Sequence, residues 1–262
     1  MSTMTEGESS RETEPSAIRR SRLGASTALW SAQGDHHVEP GWWKAMSGVR
    51  SVEFNMVLCH GSDPALVTRS LELVTESKNP AVIALAGPGL ANAQVLVDAG
   101  WVCVGTSPFM VLRGIGALGF ATDPDVTEAG PNDLPGVWDA LEETFGLSPA
   151  LARVAIPENV FETPGQRVWI LANGGALRSC VATVRVDATI AVWSMATPPA
   201  LQGRGYGRRL LTNALALAAS AGADESILQA SSVGEPLYRT LGYEVAEHWQ
   251  MWSRPRWLFG RS

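Results

Sequence analysis

The clearest candidate for chemistry in this chain is a glycine-rich loop that precedes a long helical pattern. The loop reads Gln202-Gly203-Arg204-Gly205-Tyr206-Gly207. Glycines let backbone N–H groups approach a ligand closely, and the free amides and positive dipole of a helix N-terminus attract anions. Arg208 and Arg209 follow directly and, with the loop arginine, add positive charge. The loop therefore predicts a phosphate or pyrophosphate site.

The same loop lacks the marks of two common nucleotide sites. A P-loop needs Gly-Lys-Ser/Thr, which is absent here. The spacing Gly-x-Gly-x-Gly differs from the dinucleotide fingerprint, and no acidic residue stands at a strand end about 20 positions on. A glycine-rich turn before a helix also occurs without any ligand, so the interpretation depends on the surrounding sequence.

A second motif downstream supplies that support. It reads Tyr238-Arg239-Thr240-Leu241-Gly242-Tyr243. From Thr189 to Tyr243 the order is strand, glycine loop, long helix, strand and then this motif, which resembles the core of the GCN5-related N-acetyltransferase (GNAT) superfamily. The family's Gln/Arg-x-x-Gly-x-Gly/Ala loop corresponds to residues 202–207 and its Tyr-x-x-x-Gly-Phe/Tyr ending to residues 238–243. A weaker resemblance extends from residue 121 to the end of the sequence.

The resemblance implies a role for each part of this core. Backbone groups at the end of the family's fourth strand would pair with the pantetheine arm of coenzyme A (CoA), and one amide would polarise the thioester carbonyl. Tyr238 would protonate the leaving thiolate as general acid; the competing interpretation is an aromatic packed beside Leu237 and Leu241. The implied cofactor-binding residues are Met195, Ala196, Thr197, Gln202, Gly203, Arg204, Gly205, Tyr206, Gly207, Arg208 and Ser232.

The general base is the part of the site that the sequence does not identify. An alkyl ammonium has a pKa near 10.4 and must lose a proton before or during attack. Many family members carry a glutamate on the fourth strand, whereas residues 189–197 contain no carboxylate. Ser194 could position a water, while Asp187, Glu158 and Glu162 are better explained as surface acids. The missing acid leaves open a domain that binds CoA without turnover.

Periodicity and turn residues predict the elements that position this site. Asp133 should cap a helix that ends near Phe145, and Ser148-Pro149 should start a short helix to Ala155. Asn173-Gly174-Gly175 predicts a hairpin. The remaining predicted elements are strands Val168–Ala172, Leu177–Val186, Thr189–Met195, Ser226–Ala230 and Tyr243–Trp252, a long helix 208–220, and a short helix from Glu235 to Gly242.

The first half of the chain alternates strand and helix patterns, which indicates an α/β layer arrangement. The predicted order is strand 52–59, a helix capped by Asp63-Pro64, strand 81–85, helix 90–99 and extended segments Trp101–Gly105 and Phe109–Leu112. Asn55, Gly100-Trp101 and Pro108-Phe109-Met110 resemble the degenerate half of tandem GNAT proteins. Because this half has no Gly-x-Gly loop, it should not bind CoA, and we expect it to pack on the catalytic half and shape the acceptor site.

These patterns predict an α/β (α+β type) protein with two GNAT-like domains, each a mixed, mostly antiparallel sheet flanked by helices. The glycine-rich stretch 114–119 predicts the linker. The predicted divisions are a disordered tail at 1–24, a degenerate GNAT-like domain at 25–120 and a catalytic GNAT domain at 121–262. The tail carries acidic residues where a secretory signal would carry positive charge.

Composition narrows the function further. The net charge of −6 and pI of about 5.3 argue against nucleic-acid binding through bulk charge. Cys59, Cys103 and Cys180 form no CxxC pair, which fits a cytoplasmic protein without a disulfide framework or zinc site. No apolar run reaches the ~20 residues of a membrane span. Neither His36-His37 nor the Cys59-His60 pair predicts a site, because no further ligands accompany the first and adjacent strand residues point to opposite faces.

The function predicted from the sequence is transfer of an acetyl group from acetyl-CoA to a primary amine by direct attack, without a covalent enzyme intermediate and without a metal. The acceptor is a small molecule or a peptide, and Trp193 is the residue expected to line its pocket. The donor could carry a longer acyl chain, and the protein could be a monomer or a homodimer. The alternatives are a CoA-binding regulatory module without activity and a nucleotide-binding module.

Overall fold

The structure is a computed structural model that describes residues 13–31 and 34–259. The helices are α1 (Thr13–Ser26), α2 (Ala28–Ser31), α3 (Pro64–Ser77), α4 (Ala93–Asp98), α5 (Leu134–Phe145), α6 (Pro149–Ala155), α7 (Tyr206–Ser220), α8 (Glu235–Thr240) and α9 (Pro255–Phe259). The strands are β1 (Asp35–Glu39), β2 (Trp42–Met46), β3 (Asn55–Cys59), β4 (Val82–Leu85), β5 (Val102–Arg113), β6 (Val126–Glu128), β7 (Gln166–Asn173), β8 (Ala176–Val186), β9 (Thr189–Ala196), β10 (Glu225–Gln229) and β11 (Glu244–Ser253). The predicted fold class, a mixed and mostly antiparallel α/β arrangement, is confirmed.

The described residues divide into two compact units. The first holds residues 13–25, 34–107 and 246–259, and the second holds residues 26–31 and 108–245. This division differs from the sequence-based boundary at residues 120/121, because β5 crosses from one unit to the other at Ser107/Pro108. Strand pairing explains the difference: residues 109–113 of β5 form a ladder with β10, so they belong to the second unit.

The second unit has the strand order β5-β10-β9-β8-β7-β6. Strands β9 and β10 are parallel and are connected through α7, whereas the other neighbours are antiparallel. Helix α7 packs Leu210, Leu211 and Leu215 against apolar side chains of the sheet, which include Val181 and Val192. Burial of this stripe anchors α7, and its N-terminus is the end that carries the glycine loop.

Most of the turns and helix caps that neighbouring residues predict in this unit are confirmed. The hairpin between β7 and β8 turns at Gly174 and Gly175, whose φ values of 60° and 80° suit the left-handed turn that glycines allow. Ser148 caps α6 by accepting from Leu151 N at 3.4 Å. Asp133 precedes α5 as predicted, but its carboxylate accepts from Gly130 N at 2.8 Å and makes no bond into the helix.

The first unit has the strand order β1-β2-β3-β4-β11. Strands β3 and β4 are parallel and connected through α3, and the other pairs are antiparallel. Three predictions differ in detail: residues 52–54 form a 3₁₀ turn rather than strand, the predicted helix 90–99 is a 3₁₀ turn followed by α4, and the two extended segments are one strand, β5. Asp63 caps α3 as predicted, with Pro64 at its first position.

The prediction of a disordered tail over residues 1–24 was wrong for residues 13–24, which form most of α1; residues 1–12 lie outside the described part. Long-range contacts explain why a local pattern missed this helix. Leu23 is fully buried, Gly24 lies so close to Trp43 that a Cβ atom there would be 2.6 Å from the indole ring, and Arg20 forms a two-bond ion pair with Glu247 (2.6 and 2.5 Å).

A buried histidine next to this ion pair makes the stability of the protein depend on pH. His60 is 3% exposed, and its Nε2 has no hydrogen-bond partner among the described residues. Burial, with a smaller contribution from Arg20, lowers the pKa of His60 from 6.5 to about 4, although Glu247 opposes the shift. Between these two pKa values the unfolded chain binds a proton at His60 that the folded chain does not. The contribution of the neutral His60 to stability is therefore fully present above pH 6.5 and is lost as the pH falls toward 4.

We therefore expect the free energy of unfolding to fall by about 2 kcal/mol between pH 7 and pH 5 through His60 alone. Urea unfolding of the wild type and of His60→Gln at both pH values measures this, because the variant cannot take up the proton. The variant should lose about 2 kcal/mol less than the wild type over this interval. Equal losses in the two proteins would show that His60 is not the source.

Candidate functional site

The start of α7 has the geometry of an anion site. Gly203 and Gly205 have φ values of 74° and 80°, and no atom lies within 4 Å of a Cβ built at either position. Arg209 N donates to Gly205 O (3.0 Å), so the amides of residues 206–208 precede the first bond within the helix. The N-cap residue is Gly205, which has no side chain to cap this end. The loop therefore presents unsatisfied N–H groups beside open space.

The corresponding helix of the first unit provides a comparison within the same chain. Helix α3 also connects two parallel strands, but the Asp63 carboxylate accepts from Ala65 N at 2.9 Å, and Pro64 has no N–H to offer. A negative side chain thus already occupies the end of α3 where an anion would bind. This difference supports the expectation that CoA binds at α7 and not at α3.

The three arginines near the loop have different partners. Arg204 is exposed, and no ion pair in the described ranges involves it. Arg208 donates to the backbone and side-chain oxygens of Thr240, both at 3.2 Å. Arg209 forms two bonds to Asp123 (2.7 and 3.0 Å) and one to Asp125 (2.7 Å). Arg209, counted with the basic residues of the loop in the sequence analysis, is therefore already neutralised.

The bond from Arg209 holds the pKa of Asp123 below its usual range. We expect Asp123→Asn to lower the free energy of unfolding by about 1 kcal/mol at pH 7, because it loses the two-bond ion pair that ties the 123–125 segment to α7. Asp125→Asn is the matched control, since Asp125 is more exposed (45% against 18%) and makes one bond, so its loss should be smaller. Equal losses would contradict the two-bond explanation.

Strands β9 and β10 separate at the end where the resemblance places the thioester. Their pairing in the described ranges ends at Ile227 opposite Ala191, although β9 continues to Ala196. Next to this opening, the register between β8 and β9 shifts between Cys180 and Ala182, and Ser194 takes a left-handed conformation with a φ of 50°. A β-bulge therefore redirects the residues of β9 that follow it.

Different partners hold the three residues that the sequence predicts to pair with the pantetheine arm, Met195, Ala196 and Thr197. Ala196 is paired with Cys180 of β8, and its carbonyl accepts from Ser179 Oγ at 2.8 Å. With the alternation of a regular strand, the backbone groups of Met195 and Thr197 would point away from β8, toward the open edge. Thr197 O also accepts from Gln202 Nε2 at 3.0 Å, which ties the glycine loop to β9. The carbonyl of Ala196 is therefore already held from β8.

Tyr238 lies against this edge, where its ring packs against another aromatic ring and its hydroxyl forms a hydrogen bond. Its side chain is 9% exposed, and its ring meets that of Tyr243 edge-on with centroids 5.6 Å apart. The hydroxyl donates to the sulfur of Met195 at 3.7 Å. Burial raises the pKa of Tyr238 to about 12, so the phenol keeps its proton at neutral pH. A thioether is a weak acceptor, and a thiolate at the open edge would be a much stronger one.

Other predicted residues lie farther from this centre or have other partners. Ser232 is exposed in the turn after β10, beside Ser231, whose hydroxyl accepts from Gly234 N. Asp187 lies in the turn before β9, at the end opposite to Met195. Glu158 and Glu162 lie in a 3₁₀ turn that contacts β7. The structure therefore places none of these acids at the open edge as a general base.

Sequence reasoning missed the residues that hold Trp193. Its indole nitrogen donates to Ser26 Oγ at 2.8 Å, and its ring meets that of Trp30 edge-on at 6.2 Å. Both partners lie in the segment that the sequence analysis assigned to the first domain, residues 25–120. It also missed Glu225, which is buried and accepts from Thr189 Oγ1 at 3.0 Å at the closed end of the β9–β10 pair.

Among the described residues, no helix has the length and apolar character to cross a membrane, and no group of three or more histidine, cysteine or acidic side chains could hold a metal ion. A cleft of about 680 Å³ lies in the first unit, where Lys44, Arg69, Glu72 and Glu76 line part of it. The anion site at α7 is instead an open surface loop.

Comparison with known proteins agrees with this geometry. Residues 164–245 match the acetyltransferase (GNAT) domain. The fold is similar to a GCN5-related N-acetyltransferase from Kribbella flavida (17% identity, TM-score 0.65, 90% of this chain and 95% of that one). It is also similar to a putative GNAT-family acetyltransferase from Novosphingobium aromaticivorans (15% identity, TM-score 0.59, 91% and 96%). No curated protein matches the sequence. Residues 164–245 are a GNAT acetyltransferase domain, and most of the chain shares the fold of such proteins.

Proposed function

We propose that this protein is an N-acetyltransferase that moves an acetyl group from acetyl-CoA to a primary amine. The observation that carries the proposal is the connection of the uncapped start of α7 with the open edge of β9 and the Tyr238 phenol, through the bond from Gln202 to Thr197. The loop amides would hold the pyrophosphate, and the backbone of Met195 and Thr197 would pair with the pantetheine arm.

The chemistry would be direct transfer. The amine nitrogen attacks the thioester carbonyl carbon, and an amide at the open edge stabilises the oxyanion of the tetrahedral intermediate. The intermediate then expels the CoA thiolate, which takes the Tyr238 proton, while the nitrogen loses its extra proton to water. The phenolate recovers a proton from solvent, so the enzyme is unchanged after each cycle. Ser194, at the bulge, would orient that water.

The net charge of the chain favours one chemical class of acceptor. The chain carries a net charge of −6, which favours a cationic small molecule or peptide amine. In this proposal the second unit is the catalytic domain. The first unit repeats the order of a parallel pair joined through a helix, and it is a degenerate GNAT-like domain whose corresponding helix is capped by Asp63.

The first test is thermal stabilisation by acetyl-CoA compared with ATP and NAD at equal concentrations. Stabilisation by acetyl-CoA alone supports the site, whereas its absence would contradict the proposal. The second test measures thiol release with a panel of small-molecule and peptide amines and the mass of the acetylated product. Binding without thiol release for every amine would favour the alternative, a CoA-binding regulatory module, for which the absence of a carboxylate on β9 is the specific argument.

A further inference from the structure

The end of β9 receives little support from regular strand pairing. Its ladder with β10 stops at Ala191, and its ladder with β8 is interrupted by the bulge at Ser194. Nevertheless, Met195 and Thr197 must hold a fixed direction if their amides are to meet a thioester, since misplacement of about 1 Å costs orders of magnitude in rate. Some other interaction must therefore fix this segment.

Ser179 supplies that interaction from β8. It is fully buried, its hydroxyl donates to Ala196 O, and it lies 2.8 Å from Thr197 Oγ1. A serine hydroxyl has one proton, and Ala196 O receives it, so the Thr197 hydroxyl must donate to Ser179 Oγ. Ser179 thus holds Ala196, the last residue of β9, and Thr197, which follows it.

The hydroxyl pair of Ser179 and Thr197 lies close to the start of α7. A Cβ atom at Gly207 would lie 3.5 Å from Thr197 Oγ1 and 2.9 Å from the terminal carbon of Met195. Gln202 binds the carbonyl of Thr197 from the glycine loop. The Ser179–Thr197 pair therefore lies where the open edge of β9, the glycine loop and α7 meet.

We propose that Ser179 is a positioning residue for acyl transfer: through Ala196 and Thr197 it sets the direction of the Met195 and Thr197 amides toward the thioester carbonyl. This inference rests on the proposed function. It differs from a role in folding alone, because the atoms that Ser179 holds are the neighbours of the amides that would contact the substrate.

The test compares Ser179→Ala, Thr197→Val and Thr197→Ser with a control in the same strand. Thr197→Val removes the hydroxyl at nearly constant shape, and Thr197→Ser retains it. The control is Thr183→Val, which removes a buried hydroxyl that accepts from Trp169 Nε1 at 3.0 Å on a residue that is paired with Val192 and not with Ala196. Melting temperature, the Kd for acetyl-CoA, and kcat and KM for thiol release are measured for the wild type, these four variants and the double variant Ser179→Ala/Thr197→Val.

We expect Ser179→Ala and Thr197→Val each to lower kcat about tenfold, the effect of one lost hydrogen bond at a reacting centre, with less than threefold change in Kd. The double variant should lose little more than either single one, since both break the same pair. Thr197→Ser should recover most of kcat, and Thr183→Val should lower the melting temperature and leave kcat unchanged.

Two outcomes would overturn the inference, and they are distinguishable. If the wild type releases thiol and kcat in Ser179→Ala and Thr197→Val falls no more than in Thr183→Val, Ser179 is a structural residue and the proposed function stands. If the wild type neither binds acetyl-CoA nor releases thiol with any amine, the proposed function and the inference both fail.

Discussion

Replacement of Gly205 by aspartate is expected to weaken acetyl-CoA binding at least a hundredfold. The substitution would place a carboxylate beside the amides that precede the first bond of α7. This is the arrangement that Asp63 creates at the start of α3. The carboxylate would both accept from those amides and repel the pyrophosphate, and the loss of charge-assisted bonds plus repulsion is worth about 3 kcal/mol.

Gly205→Asn is the matched control, because it has nearly the same shape without the charge. Gly205 has a φ of 80°, a conformation that asparagine and aspartate adopt more readily than other side chains, so both variants carry similar strain. No atom of the described residues lies within 4 Å of a Cβ at this position, so a Cβ there has open space around it. The asparagine variant should therefore weaken binding about tenfold or less.

Isothermal titration with acetyl-CoA measures both values, and thermal unfolding without ligand checks that the two variants are equally stable. The diagnostic quantity is the ratio of the two dissociation constants, because strain cancels in it. A ratio near one would show that the pyrophosphate does not bind at the start of α7. The binding of the aspartate variant should also improve at low pH as its carboxylate is protonated.

The second large effect is expected from Tyr238→Phe, which should lower kcat about a hundredfold with little change in KM for acetyl-CoA. The ring of phenylalanine keeps the edge-on contact with Tyr243, so the variant removes only the hydroxyl that faces Met195. A positioned general acid contributes about 10²- to 10⁴-fold. The lower end applies here, because a thiolate is a better leaving group than an alkoxide or amide.

Tyr243→Phe is the control for this prediction. Tyr243 is also a buried tyrosine of the same cluster, but its hydroxyl lies 2.6 Å from Ser226 Oγ and not at the open edge of β9. Its loss should cost about 1 kcal/mol of stability and leave kcat unchanged. If Tyr238→Phe keeps the wild-type kcat, the hydroxyl is not the acid and Tyr238 is a packing residue.

The proton that Tyr238 would donate is available over the whole neutral range. Burial raises the pKa of its phenol to about 12, and the hydroxyl has a thioether as its neighbour. Cys180, on the neighbouring strand, also has a raised pKa of about 12 through burial, so it does not compete as a thiolate nucleophile. Both observations agree with direct transfer to the amine and not with a covalent cysteine intermediate.

Features that depend on neighbouring residues were predicted from the sequence. The glycine loop, the Asp63-Pro64 start of α3, the Ser148 cap and the Gly174-Gly175 hairpin are all set by backbone dihedrals and local hydrogen bonds, which a few adjacent residues control. The paired motifs at 202–207 and 238–243 indicated the acetyltransferase domain that residues 164–245 match.

The sequence did not predict the features that depend on contacts with residues far along the chain. Residues 13–24 look like a polar tail, and contacts far along the chain, such as the ion pair of Arg20 with Glu247, accompany their helix. The division within β5 depends on its ladder with β10, more than 100 residues away. Likewise, the partners of Arg209 and Ser179 follow from contacts between separate elements, which no local spacing encodes.

The sequence by itself therefore determined the class of site, because an anion site at a helix start needs only glycines, a strand before it and a helix after it. Only the tertiary structure decided which groups of that site are free. In the structure, Arg209 is bound to Asp123 and Asp125, and the carbonyl of Ala196 is bound to Ser179. Hydrogen bonds are exclusive, so which atoms can meet a ligand depends on where every other donor and acceptor has come to lie.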